Sequence, residues 1–517
     1  HCTILVIEPS PVEKDMLWVG TDDGRVHISQ NGGGSWTDVT KNIKGLPAGS
    51  WIPQIKASNK NKGEALLVAN DYRRFNYTPY VYRTTNYGKS WNRIVDENDV
   101  KSYALAIVED PETPNLLFLG TDDGLYISFN AGNKWQKWTE GFPTVSTKDL
   151  VIHPREHDLV IGTFGRAAWV LDDIRPLRAI AKDQSILNKD AALFKPPTAY
   201  QAAYQQPTGS RFGADAMYQG TNRRGGAMLT YYYKKKAKAA PKSKTEEKSK
   251  DASKEEKPKK KDGVKSKDSL KFEFFDGDRL IRTLKTKAPK KTGFHRMYWR
   301  MDEKGPARPS RRIPKTKREY GGKSVKPGTY KVKMTYGETV SEQQITVASD
   351  PRLKVSSTAT NEVYESSKIL EKYMETAAGA VRQLVESKNI ASKYKKDLSA
   401  LDKEKYKEEI KASTEIGKEL DKLIATYLGK IDKRQGITRN PEITVMQRIG
   451  MASSYVRSRK TGISKTETDL MKYAKDELGK ALDKTNTFFT DKWAGYKGKM
   501  DALSTSPFKE IKKFQLN

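Results

Sequence analysis

Along the first third of the chain, short apolar runs alternate with polar residues, and turns interrupt them at short intervals. Leu117-Phe118-Leu119-Gly120-Thr121 is followed by Asp122-Asp123-Gly124 and then by Leu125-Tyr126-Ile127. Asp-Gly supplies the positive φ that a tight hairpin needs, so this pattern predicts two antiparallel strands joined at the turn. The same phrase occurs earlier, where Val19-Gly20-Thr21-Asp22-Asp23-Gly24 precedes Val26-His27-Ile28. Each such unit opens with apolar runs flanking a Pro-containing connection, as at Leu5 to Thr21 and Leu105 to Thr121. Self-similarity at roughly 45 to 55 residues, with four strands per unit, is the period of a β-propeller blade. The last unit, Leu150 to Ile174, ends the array. About four blades is the bottom of the usual range for a closed ring. Residues 1–175 are therefore expected to be the C-terminal blades of a larger propeller, an open arc with two unpaired edges.

The pattern then changes twice. Residues 176–225 show little periodicity and are expected to be a connector. Alternation returns over 226–350, in Met228 to Tyr233, Leu270 to Leu284, Phe294 to Met301 and from Thr329 to Val347, with turns at Asp276-Gly277-Asp278 and Tyr336-Gly337. Such strands predict a small β-sandwich of the immunoglobulin or fibronectin type. Residues 234–268 interrupt it with a Lys-rich tract lacking aromatics, which is expected to be disordered and cut first by trypsin. Residues 351–517 read as a helical bundle, with one apolar stripe through Ile369, Tyr373, Ala377, Val381, Leu384 and Val385. A second stripe runs through Tyr406, Ile410, Leu420, Leu423, Ile424 and Tyr427, and two further helices are expected over Ile443 to Val456 and Thr466 to Leu503. The fold class expected is thus mainly β with an α C-terminus.

The turns after three of the strands share a spacing. They read Ser29-x-Asn31-x-Gly33-x-Ser35-Trp36, Thr84-x-Asn86-x-Gly88-x-Ser90-Trp91 and Ser128-x-Asn130-x-Gly132-x-Lys134-Trp135. This resembles the Asp-box, or BNR, repeat, with Asn in place of its Asp and Lys134 in place of its Thr. Asn makes the same side-chain-to-backbone bonds in a turn, so the resemblance implies a structural pin for a blade hairpin rather than a catalytic group. The wider order adds GTFGRAAWVLDDI (Gly162 to Ile174), a PLRAI segment, ALFKPPTAY, GAMLTYYYK and PGTYKVKM. It is similar to a family of large bacterial BNR-repeat proteins whose propellers resemble the sortilin N-terminal domain and tandem-propeller xyloglucanases, and which are often labelled glycosyl hydrolases. The resemblance implies further blades before residue 1. The chain departs from it at Phe164, where relatives commonly carry His.

Composition narrows the chemistry. The 95 Lys plus Arg against 64 Asp plus Glu give a net charge of +31, which would suit an anionic partner, but the excess Lys is expected to lie mostly on solvated helices and in the one low-complexity tract. No helix-turn-helix, zinc-finger or RNA-binding signature accompanies it, so nucleic acid is not the expected partner. The single cysteine, Cys2, excludes an internal disulfide, and it is expected to be buried as a small hydrophobe. No run of 18 apolar residues is present to span a membrane. His153 and His157 flank Pro154 and so do not share a helix face, and no metal or cofactor is expected. A glycosidase needs two carboxylates facing a cleft. Asp22, Asp23, Asp122 and Asp123 sit in turns the repeat already explains, which leaves hydrolysis, with acids partly in other blades, as the alternative to a binding protein.

The candidate ligand site is where the repeat is broken. In the second blade Asn70-Asp71-Tyr72-Arg73-Arg74-Phe75-Asn76-Tyr77 replaces the compact hairpin of the flanking copies. Extra loop in a repeat protein is where function resides. Asp71, Tyr72, Arg73, Arg74 and Tyr77 are the candidate ligand residues, with Arg166 on the same propeller face, since Arg can fork onto carboxylate or phosphate and the aromatics can stack. The expectation is a secreted, periplasmic or outer-membrane-associated protein that recognises a glycan or polypeptide within an envelope assembly.

Overall fold

The computed structural model describes residues 2–202, 223–235, 269–314, 319–431 and 443–503. The expected disorder of the Lys-rich tract concerns residues that, Lys234 and Lys235 apart, lie outside these ranges.

Residues Ile4 to Leu171 form four antiparallel sheets, three of four strands and a last one of three. Each is a meander whose first strand is the innermost: Ile4–Pro9, Trp51–Ala57, Ala104–Glu109 and Thr147–Ile152 pack side by side in that order. The close approach has a local cause. A Cβ on Gly20 would lie 2.6 Å from the Ile52 side chain, and one on Gly120 would lie 2.6 Å from the Thr147 carbonyl oxygen, so in the first and third blades a glycine lets the second strand approach the first strand of the next.

The three Asp-box turns are superimposable in their bonding. The Ser29, Thr84 and Ser128 hydroxyls accept from the Gly33, Gly88 and Gly132 amides at 2.8, 3.0 and 2.9 Å and donate to Asn31, Asn86 and Asn130 at 3.0, 3.1 and 3.0 Å. Asn Oδ1 also accepts the amide of Ser35, Ser90 or Lys134, at 2.8 to 3.0 Å. Asn suits this turn because Nδ2 donates to the Ser35 and Ser90 hydroxyls at 2.9 Å, a bond an ionised Asp could not make. In the third copy Lys134 instead reaches Asp99 at 2.6 Å.

The second and third Asp-box tryptophans pack on the preceding blade. Trp91 meets Trp18 edge-on at 5.9 Å, and Trp135 donates its indole N–H to the Ile94 carbonyl at 2.8 Å. Trp36 is 44% exposed because no described blade lies before its own. Ile4 and Ile7 on the first blade and Val151 and Val170 on the last are exposed likewise. Cys2, expected to be buried, is exposed at this same edge.

Helix α1 (Arg175–Lys182) closes the array. Leu177 and Ala181 join the core of the last two blades, and buried Arg178 bonds Asp110 at 2.8 Å. The stretch read as connector then supplies Ala191–Leu193 and Ala199–Gln201 to two facing sheets. One has three strands, with Ala227–Tyr233 central. The other has five, built on the Ser269–Asp276/Arg279–Lys287 and Gly328–Tyr336/Thr339–Ser349 hairpins. They share one core, in which Phe274 stacks on Trp299 at 4.5 Å. One pairing in this module is parallel, between Ala199–Gln201 and the end of Thr339–Ser349.

The C-terminal region is helical: α2 (Ser357–Leu401), α3 (Lys407–Leu428), α4 (Val445–Ser458), α5 (Lys465–Thr487) and α6 (Ala494–Asp501), with a π segment at Phe488–Trp493 between the last two. Ser464 and Glu467 form a capping box at the start of α5. The first stripe was mis-phased at one end. Leu370 is buried and Ile369 is 43% exposed, since a position one residue away on a 3.6-residue turn faces elsewhere. The sheets and the bundle are joined by buried Glu303, which bonds Arg279, Lys323 and Tyr364 of α2 at 2.9, 2.9 and 2.6 Å.

Candidate functional site

The turns between second and third strands, at Asp22–Gly24, Tyr72–Phe75, Asp122–Asp123 and Phe164–Ala167, occupy the same end of every blade. Three are compact. In the second blade the strand Ala65–Asp71 runs into a single 3₁₀ turn, Tyr72–Arg74, before Asn76–Thr84 returns. Phe75 ends that turn in the left-handed region, at φ 60°, and is 84% exposed. Both features are unfavourable for a large aromatic residue.

This loop rests on an aromatic platform. Tyr72 stacks on Tyr103 with centroids 4.8 Å apart and meets Trp51 edge-on at 6.4 Å. Tyr77 lies 6.0 Å from Tyr103 and is 54% exposed, and the Arg73 guanidinium lies over the Trp51 ring. Burial and the neighbouring Asp122 carboxylate raise the Tyr103 phenol well above its ordinary value, so Tyr103 is a neutral hydrogen-bond donor at any physiological pH.

The sequence-derived residues therefore divide. Tyr72, Arg73 and Tyr77 come together on the platform. Asp71 is buried and is held by Arg74 at 2.6 Å and by Asn76 at 3.3 Å, so this pair braces the loop from below. Arg166 is exposed at the equivalent turn of the last blade, where its carbonyl accepts the Trp169 indole N–H at 2.9 Å. The Ser or Thr, Asn and Gly positions of the three Asp-boxes bond one another within their turns, whereas the tryptophans make none of these bonds. Sequence reading missed Trp51 and Tyr103 as platform residues. Trp51 opens the inner strand of the second blade and Tyr103 immediately precedes that of the third; that shared position was the available signal.

At the opposite end of the blades a cavity of about 470 Å³ is lined by Glu8, Lys56, Glu64 and Glu109, among others. Glu64 and Glu109 share Arg83, at 3.6 and 3.0 Å. Burial, opposed by Arg83, raises the Glu109 carboxyl to about 7. Among the described residues no cluster of three or more His, Cys, Asp or Glu could hold a metal ion, and no helix is long and apolar enough to cross a membrane.

Residues 79–180 match the family model described as sortilin, neurotensin receptor 3. No curated protein matches the chain in sequence. Among solved structures, it is similar to a GH74 xyloglucanase from Xanthomonas campestris, at 14% identity and a TM-score of 0.26, over 34% of this chain and 30% of that one. It is also similar to YCF48 from Cyanidioschyzon merolae, at 16% identity and 0.23, over 33% and 56%. A third is the Cps50 (Swd1) β-propeller domain of Myceliophteria thermophila, at 15% and 0.25, over 33% and 52%. The chain thus spans less than two thirds of each of these relatives, and likeness at these scores carries nothing about activity. The blade meanders and the three bonded Asp-box turns make the array β-propeller-like, and its residues 79–180 are similar to the sortilin family model.

Proposed function

We propose that the protein is a binding protein that takes a glycan or a polypeptide on the propeller face formed by Trp51, Tyr72, Arg73, Phe75, Tyr77 and Tyr103. The observation that carries this reading is the exposed, left-handed Phe75 in the same turn as the stacked Tyr72. Backbone strain and an exposed large aromatic each cost stability, and they persist where a ligand uses them. Aromatic faces take a sugar ring or an apolar side chain, and Arg73 adds a fork for carboxylate or sulfate. Arg166 is proposed as a second contact on the same face. The two-sheet module, read as immunoglobulin- or fibronectin-like, and the helical bundle would act as spacer and docking parts in a secreted or envelope assembly.

The test is a glycan and peptide array probed with the protein, followed by titration of the best ligand against Arg73→Ala and Tyr77→Ala. Removing a charge-assisted contact should weaken binding by about 1.5 to 3 kcal/mol, with an unchanged thermal midpoint. Equal affinity in both variants would refute the site. A second reading, glycoside hydrolysis, is favoured only by the Glu64 and Glu109 carboxylates that share Arg83 in the opposite cavity. A raised Glu109 would serve as the acid of such a pair. New reducing ends in a bound glycan, lost in Glu109→Gln, would favour it over simple binding.

A further inference from the structure

Helix α4 ends in a basic run, Arg457, Arg459 and Lys460, that lines a cavity of about 440 Å³ between the helical bundle and the two-sheet module. The sheet module contributes Arg300 and Lys326 to the same space. Five cationic side chains thus border a cavity whose one acidic lining residue is Asp350.

Most ways of explaining that charge are already used up. Asp350 is bound by Arg352 at 2.6 Å. Arg459 is held by Glu467 at 2.9 Å and Ser464 at 2.7 Å, and Lys326 by Asn361 at 3.3 Å, beside the Tyr364 ring. Arg457 donates to its own helix, at the Ser453 carbonyl, 3.1 Å away. Arg300, Arg457 and Lys460 are exposed and form no ion pair within 4.0 Å among the described residues; Asp302 and Asp350 act on Arg300 and Lys460 only at longer range. Cations at a helix C-terminus complement its dipole, which covers Arg457. It does not cover Arg300, which comes from a different module and meets the others across the cavity. Like charges that converge on one space repel unless a counter-charge enters it.

The rest of the wall suits an organic anion. Thr360 and Ser367 supply hydroxyls, Leu353, Val355 and Val363 an apolar side, and the volume lies in the range of small-molecule sites. We propose that this cavity binds a small sugar-sized anion carrying phosphate or sulfate groups, with Arg300, Arg457 and Lys460 as its charge contacts. The site is independent of the propeller face.

Calorimetric titration of the full chain with pyrophosphate, glucose 6-phosphate and glucose 6-sulfate tests this, the last two separating phosphate from sulfate. Saturable binding is expected, at least tenfold weaker in Arg300→Gln and in the double variant Arg457→Gln/Lys460→Gln. Lys460→Glu, an exposed residue just past the helix end, gives a further arm that leaves the fold intact and should abolish binding. Absence of saturable binding overturns the proposal. So does an affinity that none of the cavity variants changes, because the anion would then be answering to the general +31 charge of the chain.

Discussion

Phe75 carries the largest local cost in the propeller face. A non-glycine residue in the left-handed region costs about 1 to 2 kcal/mol, and nothing around its 84% exposed ring returns that energy. Phe75→Gly should therefore raise the urea midpoint, by up to about 1 kcal/mol of stability, while it weakens ligand binding. Denaturation and titration of one preparation measure both. A variant that loses stability would mean that the ring supports the loop, and the functional reading of its strain would go. Asp71 and Arg74 behave oppositely: their 2.6 Å pair sits under the loop, so changing either perturbs the loop's shape before its recognition.

At the level of the blade, an Asp-box tryptophan is worth what its neighbour covers. Trp91 and Trp135, 6% and 3% exposed, are clamped between consecutive blades, and replacing either with Ala should cost about 3 to 5 kcal/mol. Trp36→Ala should cost less than about 1 kcal/mol, since its ring meets no preceding blade among the described residues. Three denaturation curves decide the matter, and a Trp36→Ala loss as large as the other two would show that its edge is covered in solution. Identical sequence motifs thus give unequal energies. The hairpin is the same each time, and only the surroundings differ.

Across the whole molecule, two carboxylates give stability opposite pH slopes. Glu303, held by Arg279, Tyr364 and Lys323, has its carboxyl lowered to about 2 from 4.5 against the cost of burial. The unfolded chain then binds more protons in that interval, so the contribution is whole above about 4.5 and is lost as pH falls toward 2. Glu109, raised to about 7 by burial, has the reverse sign. Between about 4.5 and 7 the folded state binds more protons, so stability rises as pH falls through that window. Thermal midpoints from pH 8 to 3 should show Glu109→Gln flattening the upper slope and Glu303→Gln flattening the lower one. Because Glu303 joins the sheets to α2, its acid loss should also loosen the bundle from the two-sheet module, visible as earlier proteolysis between them.

What the sequence determined was everything set by short-range rules. Hairpin turns, the Asp-box spacing, the four blade units and the helical stripes depend on φ preferences and on periods of two and 3.6 residues, which are written locally. The departure from the repeat at Asp71 to Tyr77 was legible for the same reason. Only the tertiary structure decided which of these residues meet. Trp51 and Tyr103 reach Tyr72 because neighbouring inner strands start at one end of the blades, a fact of packing rather than of spacing. Cys2 was read as buried because its residue type favours it, and the spacing makes Trp36 the twin of Trp91 and Trp135, yet burial requires a partner surface, and the edge blade has none among the described residues. The two groups of cations beside α4, Arg300 with Lys326 and Arg457 to Lys460, lie more than a hundred residues apart in the chain, so their meeting belongs to the docking of two modules and is invisible to any window along the sequence.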